Sequence, residues 1–94
     1  MSNPHELWYG YIETILKRYP NIREREKKAI DKALEDLKAE NAIDALNFAD
    51  LYYFKKKYDV RGTAKALYVV YDTALRWKRK LMKKVAINLK LTDP

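Results

Sequence analysis

Apolar side chains return every three or four positions along most of this chain, the spacing of a helix with one buried face. The first such stretch carries Leu7, Trp8, Tyr11, Ile12, Ile15, Leu16 and Tyr19. Ser2 or Asn3 is placed to cap it, Pro4 suits its opening turn, and Pro20 stops it. Gly10 inside this helix costs about 1 kcal/mol relative to alanine, or marks close approach by another helix. A second helix, capped by Asn21, has a narrow apolar stripe of Ile22, Ala29, Ile30, Ala33, Leu34 and Leu37 in the charged segment Arg23 to Glu40. Such a stripe suits one side against a core and the other in water, and no function is read into it. A third helix runs from about Ala42 through Leu46, Ala49, Leu51, Tyr53 and Phe54 into Lys55-Lys56-Lys57, whose charges suit a helix C-terminus.

Beyond the connector Tyr58 to Gly62, a short segment spans Thr63 to Leu67, and a long basic helix spans about Tyr71 to Leu89. Taken alone, the apolar run Ala66 to Tyr71 fits a buried strand. The chain offers it no partner strand, and a lone strand leaves its backbone groups unpaired. The run is therefore read as helix end, turn and helix start. The expected fold is all-α, a small bundle of four to five helices with a C-terminal helix-turn-helix. One domain covers residues 1–94, because a chain of this length buries only about 60 to 65 % of its surface and cannot support two cores. Within it, residues 1–54 form a helical scaffold and residues 55–94 a basic half.

Charge sharpens that division. The formal net charge is +7, but residues 1–54 carry 8 Lys and Arg against 10 Asp and Glu, whereas residues 55–94 carry 12 against 3. The second half, at +9, generates a field that attracts phosphate-rich polymers or an acidic protein surface. With no cysteine there are no disulfides and no thiolate chemistry. The N-terminus lacks the basic and apolar regions of a signal peptide, and no apolar run approaches the ~18 residues of a membrane span. A soluble cytoplasmic protein is expected, in the host cytoplasm if a phage encodes it.

Residues 60 to 81 have the parts of a helix-turn-helix: a small residue, Ala64, for close helix crossing; Leu67 and Val69 at the corner; and a second helix with two faces. Ala74, Trp77, Leu81, Val85 and Leu89 form the buried stripe, with Leu46, Ala49 and Tyr53 as its expected partners. The opposite face presents Asp72, Leu75, Arg76, Arg79 and Lys83, placing Arg76 and Arg79 toward base edges. Lys78, Lys80, Lys83 and Lys84 are candidates for phosphate contacts, with Arg61, Lys65 and Tyr71 flanking the same surface. Tyr68 stands where such turns favour glycine, at a cost of about 1 kcal/mol, and Val70 where they favour a serine cap, a place Asp72 is positioned to take over.

Several segments resemble the RinA/ArpU-like phage regulators of late transcription, whose C-terminal module is similar to the promoter-reading domain of sigma factors. They are Leu51-Tyr52-Tyr53-Phe54-Lys55-Lys56-Lys57, Gly62-Thr63-Ala64-Lys65-Ala66-Leu67, Asp72-Thr73-Ala74-Leu75-Arg76-Trp77 and Val85-Ala86. The opening Trp8-Tyr9-Gly10-Tyr11-Ile12-Glu13, with Leu16 and Tyr19-Pro20, is similar to that family's first helix. The resemblance implies a sequence-specific regulator that binds duplex DNA at promoters of a phage or mobile element. The alternative is a small basic protein that keeps the fold and inhibits an acidic protein partner, such as a nuclease or a transcription component. A symmetric dimer would set two recognition helices about one DNA turn apart, with the tyrosine-rich first helix as its interface.

Catalytic chemistry finds no support in the residues. His5 is the single histidine, with no cysteine and no HxxxH spacing to make a metal site. Thr63, Thr73 and the single serine, Ser2, have no histidine base, no glycine-rich phosphate loop occurs, and Asp44 and Asp50 do not share a helix face. No enzyme, cofactor, metal or small-molecule substrate is expected. The eight tyrosines and two tryptophans fall mostly at helical spacing and read as core, with Tyr68 and Tyr71, at the turn, as exceptions.

Overall fold

The periodic segments fold as helices. The computed structural model describes residues 6–93, so the cap expected at Ser2 or Asn3, Pro4 and His5 lie outside the described residues. Helix α1 spans Glu6–Arg18, α2 spans Glu24–Ala39, α3 spans Ile43–Ala49 and continues as a π-helix over Asp50–Phe54, α4 spans Val60–Ala66 and α5 spans Tyr71–Asn88. No strand occurs among the described residues, and Ala66 to Tyr71 is indeed helix end, turn and helix start.

Three boundaries differ from expectation. Asn21 does not cap α2. Residues 19–23 form a tight turn after α1, and Arg23 is the N-cap, its backbone N–H donated to Glu26 Oε1 at 3.1 Å. The third helix loses its regular pitch at Asp50, where Lys55 N–H bonds to Asp50 O at 2.8 Å, five residues back. Such pairing fits more residues into one turn and narrows the angle between successive side chains. Tyr52, Tyr53 and Phe54 can then all turn toward protein: Tyr52 stacks on Phe48 at 5.3 Å and meets Tyr53 edge-on at 4.7 Å, and Phe54 meets Tyr19 at 5.1 Å. The lysines that follow lie past the helix end, where Lys55 pairs with Asp50 at 3.1 Å instead of capping the dipole. The connector lies earlier in the chain than expected, because the third helix ends at Phe54 and Asp59 accepts the Gly62 N–H at 2.7 Å and starts α4 at Val60.

Gly10 does not mark a close approach, since a Cβ there would meet no side chain or neighbouring element within 4 Å. Gly62 does, because its Cβ would lie 3.0 Å from that of Tyr58.

Helix α5 is the axis of the core and packs against all four other helices. Its buried residues are Ala74, Leu81, Met82, Val85 and Ala86, and Leu89 follows at its end. They face Ile12 and Leu16 of α1, Ile30, Ala33 and Leu37 of α2, and Ala45, Phe48, Ala49 and Tyr53 of α3 and its π extension. Burial of each large apolar side chain contributes about 1.5 to 3 kcal/mol. Leu81, Val85, Ala49 and Tyr53 are as deep as their spacing predicts. Trp77 and Leu46 are only half-buried at the rim, because the buried arc of α5 is centred closer to Met82 and Val85.

One polar cluster ties this core together. Tyr53 is fully buried and donates its hydroxyl to Glu13 Oε2 at 3.3 Å, and Lys78 Nζ lies 3.1 Å from the same oxygen. The Lys78 ammonium also lies 5.7 Å from the ring centre of Tyr9 and 5.5 Å from that of Tyr52. Burial alone favours neutral Lys78, but the Glu13 carboxylate outweighs it and raises the pKa. Burial also raises that of Tyr53, helped by the adjacent Glu13 charge. Helices α1 and α5 and the π-helix are thus fastened at one point.

Candidate nucleic-acid interface

The basic half presents its surface where α4 meets α5, and backbone geometry fixes that corner. Asp59 caps α4, and the Thr63 hydroxyl donates to the Asp59 carbonyl at 2.8 Å. Thr63 and Ala64 are buried, so α4 lies close against α5. Its end closes by two bonds, Tyr68 N–H to Lys65 O at 3.1 Å and Val69 N–H to Ala64 O at 3.0 Å. That reciprocal pattern requires a left-handed residue, normally glycine, between the helix and the next segment. Tyr68 takes the position with φ +60°. Leu67 and Val69 turn partly inward, while Tyr68 is 95 % and Val70 69 % exposed.

Val70 is the N-cap of α5 and offers no side-chain hydrogen bond. Asp72 does not replace it, because the helix begins at Tyr71 and puts Asp72 in the first turn. There its charge suits the helix dipole. The Tyr71 ring carries the Arg61 guanidinium at 4.5 Å, a cation–π contact from the first turn of α4 to the first turn of α5.

The candidate contact residues then fall into two groups. Asp72, Arg76, Arg79 and Lys83 are exposed on one face of α5, with Leu75 half-buried at its edge and Lys65 exposed on α4. The side chains of Arg76, Arg79, Lys83 and Lys65 make no hydrogen bond or ion pair with another described residue. Three lysines expected to reach outward are engaged instead. Lys78 is turned into the core on Glu13. Lys80 and Lys84 flank the Glu40 carboxylate at the end of α2, Lys80 at 3.5 Å and Lys84 in closer contact. The Lys84 hydrogen bond leads the interactions that lower the Glu40 pKa.

Sequence spacing missed these acids because Glu13 and Glu40 come from far along the chain, and no local signal pairs Glu40 with Lys84. Spacing also assigns no role to the exposed lysines of α2, because a solvated helix face carries the same pattern. Among the described residues, no group of His, Asp and Glu is arranged to hold a metal ion, and no helix is long and apolar enough to cross a membrane. Compared with known proteins, the chain matches no family model, no curated sequence and no solved structure.

Proposed function

We propose that the chain binds duplex DNA, with α4 and α5 acting as a helix-turn-helix and α5 as its recognition helix. In this reading it regulates transcription for a phage or mobile element. The observation that carries it is the exposed face of α5, where Arg76, Arg79 and Lys83 stand one turn apart without partners among the described residues. Arginines in that arrangement fit bidentate contacts to guanine in the major groove. A basic face paired with a close-packed short helix supplies the parts of the motif.

The test is binding of the purified chain to the DNA upstream of its own gene and to random duplexes. Arg76→Ala or Arg79→Ala should cost about 1 to 3 kcal/mol on the cognate site and much less on random DNA. Equal losses on both would demote these arginines to phosphate contacts.

A second reading is favoured by the turn itself, where Tyr68, Val70 and Tyr71 expose aromatic and apolar surface beside Arg61. Tyrosine and arginine are enriched where proteins meet proteins. An acidic protein bound there would show a shallower salt dependence than DNA, since a folded surface has no condensed counterion atmosphere. Tight binding to such a partner with no DNA affinity at low salt would select this reading.

A further inference from the structure

The exposed face of α5 does not end where its unpaired cations end. At its C-terminal end, Ile87 forms one wall of an open groove whose other wall is the first half of α2. Ile87 lies one turn beyond Lys83, and residues four apart on a helix are neighbours. The groove is lined by Arg25, Lys28, Lys32 and Lys90, with Glu24 as its lining acid.

Its walls are fastened together. Asn88 Nδ2 donates to the Ala29 carbonyl and Arg25 Nη2 to the Leu89 carbonyl, each at 3.1 Å. The second bond matters electrostatically, because the carbonyls that end a helix repel anions. Arg25 occupies one of them. Lys32 also lies 3.7 Å from Asp36, but both side chains are well exposed, and water screens such a pair. Lys28 and Lys90 are exposed, and their side chains have no partner among the described residues.

We infer that this groove is a second phosphate-binding surface, one that holds the backbone of the same duplex without reading its sequence. The inference rests on the DNA-binding reading and extends it to a part of the chain with net negative charge. Dimensions favour one duplex: the 18 residues of α5 span about 27 Å, less than the ~34 Å of one DNA turn. Both ends of the track therefore lie within reach of a single turn, where a charge occurs about every 1.7 Å. The N-terminal half of α2 adds the positive end of its dipole to the four cations.

The experiment compares the full chain with Lys28→Gln/Lys32→Gln/Lys90→Gln, and with Arg76→Ala/Arg79→Ala, on cognate and random duplexes over a salt series. With each phosphate contact contributing about −0.9 to the slope of log K against log salt, the triple variant should flatten it by about 2 to 3. The same exponent gives about an eightfold loss of affinity per contact at 0.1 M salt, equal on both DNAs. Helicity and melting temperature should stay close to those of the parent chain. If the triple variant lost helicity, single Lys28→Gln and Lys90→Gln variants should each flatten the slope by about one unit.

An unchanged slope in a folded variant, with the parent chain binding DNA, overturns the groove and leaves α5 as recognition helix. A flattened slope with no cognate preference lost in the arginine variant supports the groove and overturns sequence reading by α5. No DNA binding by the parent chain at low salt overturns both.

Discussion

Tyr68 tests whether the corner between α4 and α5 is built for stability. Its backbone is left-handed, at φ +60°, and its side chain is 95 % exposed. Truncation to glycine therefore removes little packing. Left-handed geometry crowds a β-carbon against the following carbonyl and costs about 1 to 2 kcal/mol. Glycine avoids the crowding but has a freer unfolded chain, which returns about 0.5 to 1 kcal/mol. Both bonds that close α4 come from backbone N–H groups and survive the change. Tyr68→Gly should then stabilise the protein by about 1 kcal/mol, raising Tm by about 4 to 8 °C in a domain of this size. Thermal unfolding followed by far-ultraviolet circular dichroism measures it directly. A lower Tm would refute the reasoning, because it would mean that the tyrosine ring contributes more than its strain costs. Weaker binding to DNA or to an acidic partner alongside the higher Tm would identify the ring as part of the contact surface.

Lys78→Met should destabilise by about 2 to 4 kcal/mol by leaving the Glu13 carboxylate short of a cation, and Glu13→Leu added to it should recover much of the loss; chemical denaturation of the two variants decides this. Alkali should unfold the protein early. The Asp31 carboxylate, accepting the Tyr19 hydroxyl, and burial push the Tyr19 pKa up to about 12, and those of Tyr53 and Lys78 are also raised. Unfolded tyrosine and lysine titrate near 10, so these contributions are intact below about pH 10 and lost as pH rises toward 12. A denaturation midpoint flat from about pH 9 to about pH 12 would contradict this. Gly10→Ala should stabilise α1 by about 0.5 to 1 kcal/mol, since the added methyl meets open space; a lower Tm would contradict it.

Helix count, the rejection of a strand at Ala66 to Tyr71 and the burial of Ala49, Tyr53, Leu81 and Val85 all follow from spacing of three and four. Periodicity reports which face of a helix is apolar, and nothing in this core overrides it. It places the centre of that face poorly, which is why Trp77 sits at the rim and Met82 and Ala86 went unnoticed. The π-helix at Asp50 was not legible, since aromatic residues suit an α-helix equally well and the change depends on what Tyr52, Tyr53 and Phe54 pack against. The unpaired side of the candidate interface, Arg76, Arg79 and Lys83, follows from the same periodicity. Lys78, Lys80 and Lys84 do not, because their partners Glu13 and Glu40 are 65, 40 and 44 positions away, and counting charge by halves hides such pairing.

Glu40 accordingly sets how much of the charge on α5 is available to a polyanion. Lys80 and Lys84 both approach its carboxylate, and these contacts hold its pKa below the ordinary value. A depressed carboxylate keeps its favourable interaction above its ordinary titration range and loses it only as pH falls through the lowered value, so the clamp is intact at neutral pH. Glu40→Gln keeps the shape and removes the charge. If a bound duplex reaches this flank, the two released lysines should steepen the salt dependence by about one to two units and raise affinity for random DNA severalfold. Net charge alone would act in the same direction, so the comparison is with Glu35→Gln, an exposed acid of the same helix without a partner among the described residues. The Glu35 variant should change long-range attraction slightly and leave the slope as it was. Equal effects from both variants would show that Glu40 acts through net charge and not by holding Lys80 and Lys84, and no effect from either would place this flank of α5 outside the DNA contact.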